Sequence, residues 1–423
     1  MKNRDIYIIG GSRIPFVKSG TYYADMSTQQ LMTDVLQSVV QKFNLSGKSV
    51  GDVALGGVML GSANWNLARE SVLGSTLLPS TPGYNVQRAC GTSLDTTAQL
   101  ALRIYSGQIE SGIAGGVDSN SDLPVMVSKS LRHKLLKLNQ EKSLGGRLKI
   151  LASFRPADLK PHIPDIREPR TGLSMGEHTE KMVKEWHISR EEQDRLAFES
   201  HQKAARAYEE GFFSDLVIEY LGLKQDAFVR KDTSMERLAK LKPAFDFTGS
   251  GTLTAGNSTP FTDGAAAVLL ASKDECERQG WIPQARFIDF ESAAVDYVHG
   301  EGLLMAPTIA VAKLLHRNNL KLQDFDFYEI HEAFAGQVLC TLKAWESAEY
   351  CARKGIGEPL GSIDRSKLNI KGGSLALGHP FGGTGTRIVA TLAKMLSGTS
   401  EKRGLISICT AGGMGVAAIL GSV

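Results

Sequence analysis

NLSGKSVGDVALGGVMLG (44–61) and NLKLQDFDFYEIHEAF (319–334) follow one plan: Asn-Leu, a short polar stretch, an aspartate, then a β-rich apolar run. A pattern that returns within one chain marks an internal repeat. SGIAGGVD (111–118) and SICTAGGMG (407–415) extend it, since both place Ala-Gly-Gly after a short apolar strand. In the second copy AGGMGVAAILGS follows at once (411–422), whereas the matching tail of the first copy, DGAAAVLLAS, comes only at 263–272. The stretch from about 121 to 250 therefore reads as an insertion into the first copy. Short Gly/Ala matches also arise by chance, so the elements themselves have to carry the repeat.

Each copy alternates strands with helices. IYIIGG (6–11) reads as a strand, and residues 27–43 put Leu31, Val35, Leu36 and Val39 on one helical face. A helix opening at Cys90 carries Leu94, Ala98, Ala101 and Tyr105, and residues 385–396 repeat that pattern with Ile388, Leu392 and Met395. This alternation predicts an α/β fold with mixed sheets. Inside the insertion, Ser189 and Glu192 form a capping box before a helix that stops near Gly211.

Composition bounds the function. A chain of 423 residues has room for two to three domains, and its 42% hydrophobic and 22% charged content excludes general disorder. The 44 glycines show no G-X-Y period, so they serve turns and close packing. A net charge of +3 gives no nucleic-acid footprint. Five cysteines without a C-x-x-C pair speak against a disulfide framework and against a metal site, and for a reducing, cytoplasmic compartment. Met1–Asp5 leads into too short an apolar stretch for a signal peptide, and no run approaches the roughly 20 residues of a membrane span. One segment departs from the average: residues 129–160 carry nine Lys/Arg against Glu141 and Asp158, a net +7. There Leu131, Leu135 and Leu138 share one helical face, and Leu144, Leu148 and Leu151 another. Such a basic amphipathic segment is either a solvated helix packed on its own domain or a surface for a phosphate-rich ligand, a partner subunit or an anionic membrane.

Two loops look chemical. In VQRACGTSLDT (86–96) Cys90 meets a turn at a helix start, where free N–H groups and a partial positive charge favour the thiolate; the alternative is a buried core cysteine. In KGGSLALGHPFGGTGTR (371–387) His379 stands among glycines 378, 382, 383 and 385, with neither P-loop nor dinucleotide spacing; it is a base for a nearby thiol or a loop histidine capping a carbonyl. By the repeat, Cys90 and His379 begin equivalent helices, so a pseudo-twofold axis brings them together. Cys409 follows a strand and faces a glycine turn; His331 and Glu332 end the strand FYEI. Cys276 reads as a helix-surface residue, Cys340 and Cys351 as core, and His133, His162, His187, His201 and His316 as exposed.

The chain resembles the thiolase family over essentially its whole length. RACGTS (88–93) is similar to the nucleophile motif, HEAF (331–334) to the NEAF-type motif, GHPFGGTGTR (378–387) to the GHP loop and CTAGGMG (409–415) to the C-terminal cysteine box. AKLKPAF (239–245) and AGNSTPFTDGAA (255–266) resemble further landmarks. The resemblance implies a five-layer αβαβα fold of two similar mixed-sheet halves, residues 1–120 plus 251–279 and residues 280–423, with a loop domain at 121–250 inserted in the first.

It also implies coenzyme A thioester chemistry, with CoA and acyl-CoA as substrates and no permanently bound cofactor. Cys90 becomes the acyl-carrying nucleophile, His379 its base and Cys409 the second acid/base, because a carbanion leaving group and an incoming thiol both need proton transfer. Backbone N–H groups at Cys90 and Ala411 supply an oxyanion hole, and Arg230, Thr259 and Met175 contact CoA or substrate. Many thiolases have glycine in place of Ala411, and common ones have asparagine in place of His331. HEAF, the basic stretch KSLRHKLLKLNQEKSLGGRLKI (129–150) and EPRTGLSMGEHTE (168–180) resemble the β-subunit of fatty-acid oxidation trifunctional complexes. That points to a 3-ketoacyl-CoA thiolase of β-oxidation. It further implies a homodimeric core or tetramer and a hydratase/dehydrogenase α-subunit as partner, while the basic segment 129–160 adds peripheral membrane contact as an expectation. The alternatives are an acetoacetyl-CoA thiolase, a ketosynthase, which would carry a second histidine in place of Cys409, and a silent acyl-CoA-binding or assembly subunit.

Overall fold

The two sequence copies fold into two runs of strands that mirror each other, in a computed structural model that describes residues 4–62 and 66–423. Met1–Asn3, the start of the leader reading, lie outside the described residues. The first copy runs β1 (Ile6–Arg13), β2 (Val17–Lys18), α1 (Thr28–Lys42), β3 (Asp52–Gly56), α2 (Leu67–Leu73), β4 (Gly83–Val86), α3 (Thr92–Tyr105) and β5 (Ser111–Asp118). Then come α4 (Lys129–Gln140), α5 (Leu144–Ala152), α6 (Met175–Glu185), α7 (Arg190–Glu209) and α8 (Met235–Ala239) before β6 (Thr262–Ser272) and α9 (Lys273–Gln279) complete the copy. The second copy runs β7 (Ala285–Ala294), α10 (Ala306–Asn318), β8 (Phe327–Ile330), α11 (Ala335–Glu346), α12 (Ala348–Arg353), α13 (Ser374–Leu377), α14 (Thr384–Leu396), β9 (Arg403–Thr410) and β10 (Met414–Gly421).

The strand order is β4-β3-β5-β6-β1-β7-β10-β9-β8, with β2 on β6. The run β3-β5-β6-β1 is matched by β8-β9-β10-β7, and both are mixed: β3/β5 and β8/β9 are parallel, β5/β6 and β9/β10 antiparallel. The runs meet through two pairs, Tyr7 with Arg286 and Ile8 with Ala285. The period-2 alternation of each strand then sorts the core into layers. Ile6, Ile8, Val268 and Leu270 from one run and Ile406, Ile408, Val416 and Ala418 from the other share a central core with α3 and α14. Their alternates face outward, Tyr7, Ile9 and Leu269 onto α1 and Leu405, Ala417 and Ile419 onto α10 and α11. Helix, sheet, paired helices, sheet, helix is the five-layer αβαβα arrangement.

Local signals explain the matching pieces. The Asn-Leu pair is a helix stop in both copies: Asn44 just beyond α1 has φ 54° and Asn319 at the end of α10 has φ 52°, the left-handed conformation asparagine tolerates. The Ala-Gly-Gly match does not survive. Residues 114–116 lie inside β5, whereas 411–413 form the turn between β9 and β10; the structural partners are β5 with β9 and β6 with β10. At the centre α3 and α14 cross closely at their first turns, where a Cβ on Gly385 would stand 2.2 Å from the Leu94 nitrogen. Thr386 N–H donates to Ser93 Oγ there (2.9 Å).

The segment between β5 and β6 has no separate large core. Met182, Val183, Leu196 and Leu253 pack into the same cluster as Val338, Leu339 and Leu375 of the second copy. The capping box at Ser189 and Glu192 starts α7 as read from the sequence. Arg13 grips Asp226 through two buried hydrogen bonds of 2.5 and 2.6 Å, tying the segment to β1. Two expectations fail here. Cys276 and His201 are buried, because α9 turns its cysteine onto the core around α1 and α7 lies under the 228–230 strand of chain.

Candidate active site

The ends of both copies converge on one thiol. α3 begins at Thr92, two residues later than the sequence suggested, so Cys90 sits in the turn before the helix. Ala89 takes φ 43°, a strained value for a residue with a Cβ. The turn is locked by Thr92 Oγ1, which accepts from Arg88 N–H (2.8 Å) and donates to Ala89 O (2.7 Å). From the other copy, His379 Nε2 lies 3.2 Å from Cys90 Sγ. Its Nδ1 bonds Thr384 Oγ1 at 2.6 Å and its backbone N–H donates to Thr262 Oγ1 at 3.1 Å.

Burial governs the protonation of this pair. It pushes the Cys90 thiol up to about 12, against the pull of the Ala411 backbone N–H, and the His379 imidazole down to about 3. The resting pair is therefore a neutral thiol donating to a neutral imidazole. Desolvation of a buried charge opposes the pull that a helix end exerts toward the thiolate.

His331 follows β8, and its N–H donates to Ser407 O (2.8 Å). Its ring stands against that of His379, centroids 4.1 Å apart. Donor atoms of Cys90, His331 and His379 lie within 4.8 Å of one another. His331 Nδ1 bonds Ser374 Oγ (2.8 Å), which also accepts from Arg387 Nη2 (2.7 Å), while Nε2 is buried without a protein partner. Cys409, near the end of β9, is buried and stays outside that trio; burial first and the Cys90 sulfur second push its thiol pKa well up. Ala411 opens the next turn, its N–H against the Cys90 sulfur.

A cavity of about 360 Å³ opens onto Cys90 and His379, walled by Met175, Phe245, Thr259, Phe334 and Phe381. Its size and apolar walls suit a small-molecule or acyl-chain site. A hollow of equal volume beside Arg4, Arg286 and Arg403 is lined by no cysteine or histidine. Thr259 is fixed by its N–H and Oγ1, both donating to Ala333 O (3.0 and 3.1 Å). Arg230 is not brought to the cavity. It is exposed, and its backbone N–H donates to His201 Nδ1 at 3.3 Å.

Three supports were not read from the sequence. Asp118, fully buried at the end of β5, accepts from the N–H groups of Val58, Met59 and Gly382 and so pins the loop carrying His379; burial raises its carboxyl to about 7. Glu168 accepts from Gly412 N–H (2.8 Å) and Tyr297 Oη–H (3.1 Å), clamping the turn after Cys409. Glu332 accepts from Ser200, Asn369 and Leu375 and holds α13 in place. A lone acid ending an otherwise apolar strand, as in SGIAGGVD, was the available signal for Asp118.

The chain matches two family descriptions, Thiolase, N-terminal domain, over residues 6–274, and Thiolase, C-terminal domain, over residues 281–422. It is 39% identical to a 3-ketoacyl-CoA thiolase of Shewanella sp. strain W3-18-1, over 99% of this chain and 97% of that one. It is 40% identical to one of Photorhabdus laumondii, over 98% and 96%. Among solved structures it is similar to the Acat5 thiolase from Ascaris suum in complex with coenzyme A, with a TM-score of 0.79, 26% identity and coverage of 99% and 100%. It is also similar to the Bacillus anthracis acetyl-CoA acetyltransferase, with a TM-score of 0.83, 28% identity and full coverage of both chains.

Proposed function

The chain belongs to the thiolase family, and from that premise we propose that it is a 3-ketoacyl-CoA thiolase of fatty-acid β-oxidation, working through an acyl-Cys90 intermediate. The observation that carries the chemistry is the 3.2 Å contact between His379 Nε2 and Cys90 Sγ at the end of an apolar cavity. His379 takes the Cys90 proton as the sulfur adds to the 3-keto carbon. The C2–C3 bond breaks, and the acetyl-CoA carbanion takes a proton at C2 from Cys409. CoA then gives its thiol proton to the Cys409 thiolate and attacks the acyl-Cys90 thioester. The shortened acyl-CoA leaves, and the Cys90 thiolate takes its proton back from His379. The neutral resting pair fits this cycle, because the thiolate is needed only as the carbonyl carbon arrives.

His331 and the backbone N–H groups of Cys90 and Ala411 serve the oxygen that gains charge; one such donor is typically worth 100- to 1,000-fold in rate. Thr259 and Met175 flank the pantetheine and acyl chain, as their place on the cavity wall supports. Exposed Arg230 suits the phosphate end of CoA, outside the cavity. The trio of Cys90, His331 and His379 is assigned to acyl transfer rather than to a metal. CoA and its thioesters are substrates, with no resident cofactor. The protein acts in the cytoplasm as a dimer or tetramer. Its basic segment docks a hydratase/dehydrogenase subunit or an anionic membrane; no described helix is long and apolar enough to cross one.

Steady-state thiolysis of 3-ketoacyl-CoA substrates from four to sixteen carbons tests the assignment. Turnover that persists well beyond four carbons is expected. Activity confined to acetoacetyl-CoA would move the reading to an acetyl-CoA C-acetyltransferase (acetoacetyl-CoA thiolase).

A further inference from the structure

We propose that Ser374 and Arg387 are positioning residues that hold His331 in its Nε2–H tautomer, with that hydrogen aimed at the substrate oxygen beside Cys90. The inference rests on the reading that His331 serves the oxyanion. Its basis is a proton inventory along a buried chain. A guanidinium only donates, so Ser374 Oγ accepts from Arg387 Nη2 at 2.7 Å. The remaining hydrogen bond of that hydroxyl is to His331 Nδ1 at 2.8 Å. A hydroxyl has one hydrogen. If it goes to Nδ1, both the Ser374 hydroxyl and His331 Nδ1 are satisfied and the imidazole proton sits on Nε2. If Nδ1 were the donor instead, the hydroxyl would accept twice and its own hydrogen would have no acceptor, an expense in a fully buried site.

The other end of the ring agrees. Nε2 is buried and has no protein partner, and the His331 ring is packed against that of His379. A His331 ring nitrogen lies within 4.8 Å of the Cys90 and His379 ligand atoms, so an Nε2–H there would find its acceptor when a carbonyl oxygen enters beside Cys90. Burial, then His379, then Arg387 keep His331 neutral, so the tautomer rather than the charge decides what it offers. His379 carries the opposite tautomer: its Nε2 accepts from the Cys90 thiol, so Nδ1–H faces Thr384 Oγ1. The two adjoining histidines thus divide the work, one as base and one as donor, with Ser374 setting the tautomer of His331 and the Cys90 thiol that of His379.

Selective 15N-histidine labelling reads this directly, with the His331 signals assigned by their loss in His331→Asn. In the wild-type enzyme Nε2 should carry the hydrogen and Nδ1 should not. Ser374→Ala should populate the Nδ1–H form and lower kcat by ~10-fold, the net worth of one hydrogen bond expressed as a rate, with KM near normal. In a His331→Ala background the same substitution should change nothing further. A wild-type His331 protonated on Nδ1 overturns the inference, and that measurement stands even if Ser374→Ala fails to fold. So does a folded Ser374→Ala with unchanged tautomer and kcat. A His331→Ala enzyme with normal kcat is a different failure: it removes the oxyanion reading on which the inference rests.

Discussion

The catalytic centre and the α4–α5 hairpin treat polar and apolar groups in opposite ways. Around Cys90 polar side chains are buried and bonded across the fold: Asp118, His379, Ser374 and Glu168 each bond to residues distant in the chain. In α4 and α5 only Leu131 is buried, while Leu135, Leu136, Leu144, Leu148 and Leu151 are exposed among lysines and arginines. A site that works on a small molecule is completed by its own fold. A face of exposed leucines ringed by cations is the kind of surface that a partner or an anionic membrane would cover. These five leucines are exposed rather than packed on their own domain.

The contrast breaks most sharply at Cys409, with the largest effect on turnover. Cys409→Ala should still acylate Cys90 from an acyl-CoA but lose condensation and thiolysis by three orders of magnitude or more (~10³ for an essential acid/base). Rapid-quench acylation beside steady-state rates separates the steps, and loss of both in a folded variant would make Cys409 structural. Next comes Asp118→Asn. An amide turns N–H groups toward a pocket of three backbone donors, so the variant should lose about 1–3 kcal/mol of stability, read by denaturant unfolding, and part of its kcat. Unchanged stability would mean that the loop carrying His379 is pinned by other contacts.

A third comparison concerns pH. A raised thiol pKa favours the neutral form, so the thiolate fraction grows with pH. Alkylation of Cys90 by iodoacetamide should climb about tenfold per pH unit from 6 to 9. A flat profile across that range would signal a resting thiolate–imidazolium pair. The lowered pKa values of His379, to about 3, and His201, to about 4, act on stability in the other direction. The unfolded chain binds these protons near pH 6.5 and the folded chain does not. Stability is therefore full above that pH and falls on acidification, by up to about 1.4 kcal/mol per pH unit for each group.

The smallest effect on turnover belongs to the hairpin. Replacing exposed Lys129, Arg132, Lys137 and Lys149 with glutamine should leave kcat for a four-carbon substrate within about twofold, since none reaches the cavity. Lys134 is spared because it ties α4 to Asp158 at 2.5 Å. Binding to anionic vesicles, or co-purification with a hydratase/dehydrogenase subunit, should weaken and be further reduced by salt. A fall in kcat/KM alone, with both associations intact, would make the segment a substrate-steering surface.

What was legible in the sequence was whatever local chemistry decides. The apolar face of α1 and the capping box of α7 are set by neighbours within a turn or two, and the Asn-Leu pair, read only as the opening of each repeat, proved to be a local helix stop. The pairing of Cys90 with His379 followed once the helices they precede were matched. What escaped was set across the fold. The Ala-Gly-Gly match fell inside a strand in one copy and in a turn in the other, because glycine and alanine suit both settings. Cys276 lies among charged residues yet faces the core, since burial depends on what packs over a short helix. The push of burial on the Cys90 thiol was not legible because its desolvation comes from layers assembled hundreds of residues apart. Ser374 was invisible for the same reason: its partners, His331 and Arg387, meet only in three dimensions.

The most direct test is to find the acyl group. The enzyme is mixed with acetoacetyl-CoA in the absence of free CoA, quenched in acid within the first turnover, digested and mapped by mass. One acetyl group per chain on the peptide containing Cys90, and none on those containing Cys409, Cys340, Cys351 or Cys276, is the expected result. An acetyl group on another cysteine, or turnover on mixing with CoA while Cys90 stays unmodified, would contradict the account.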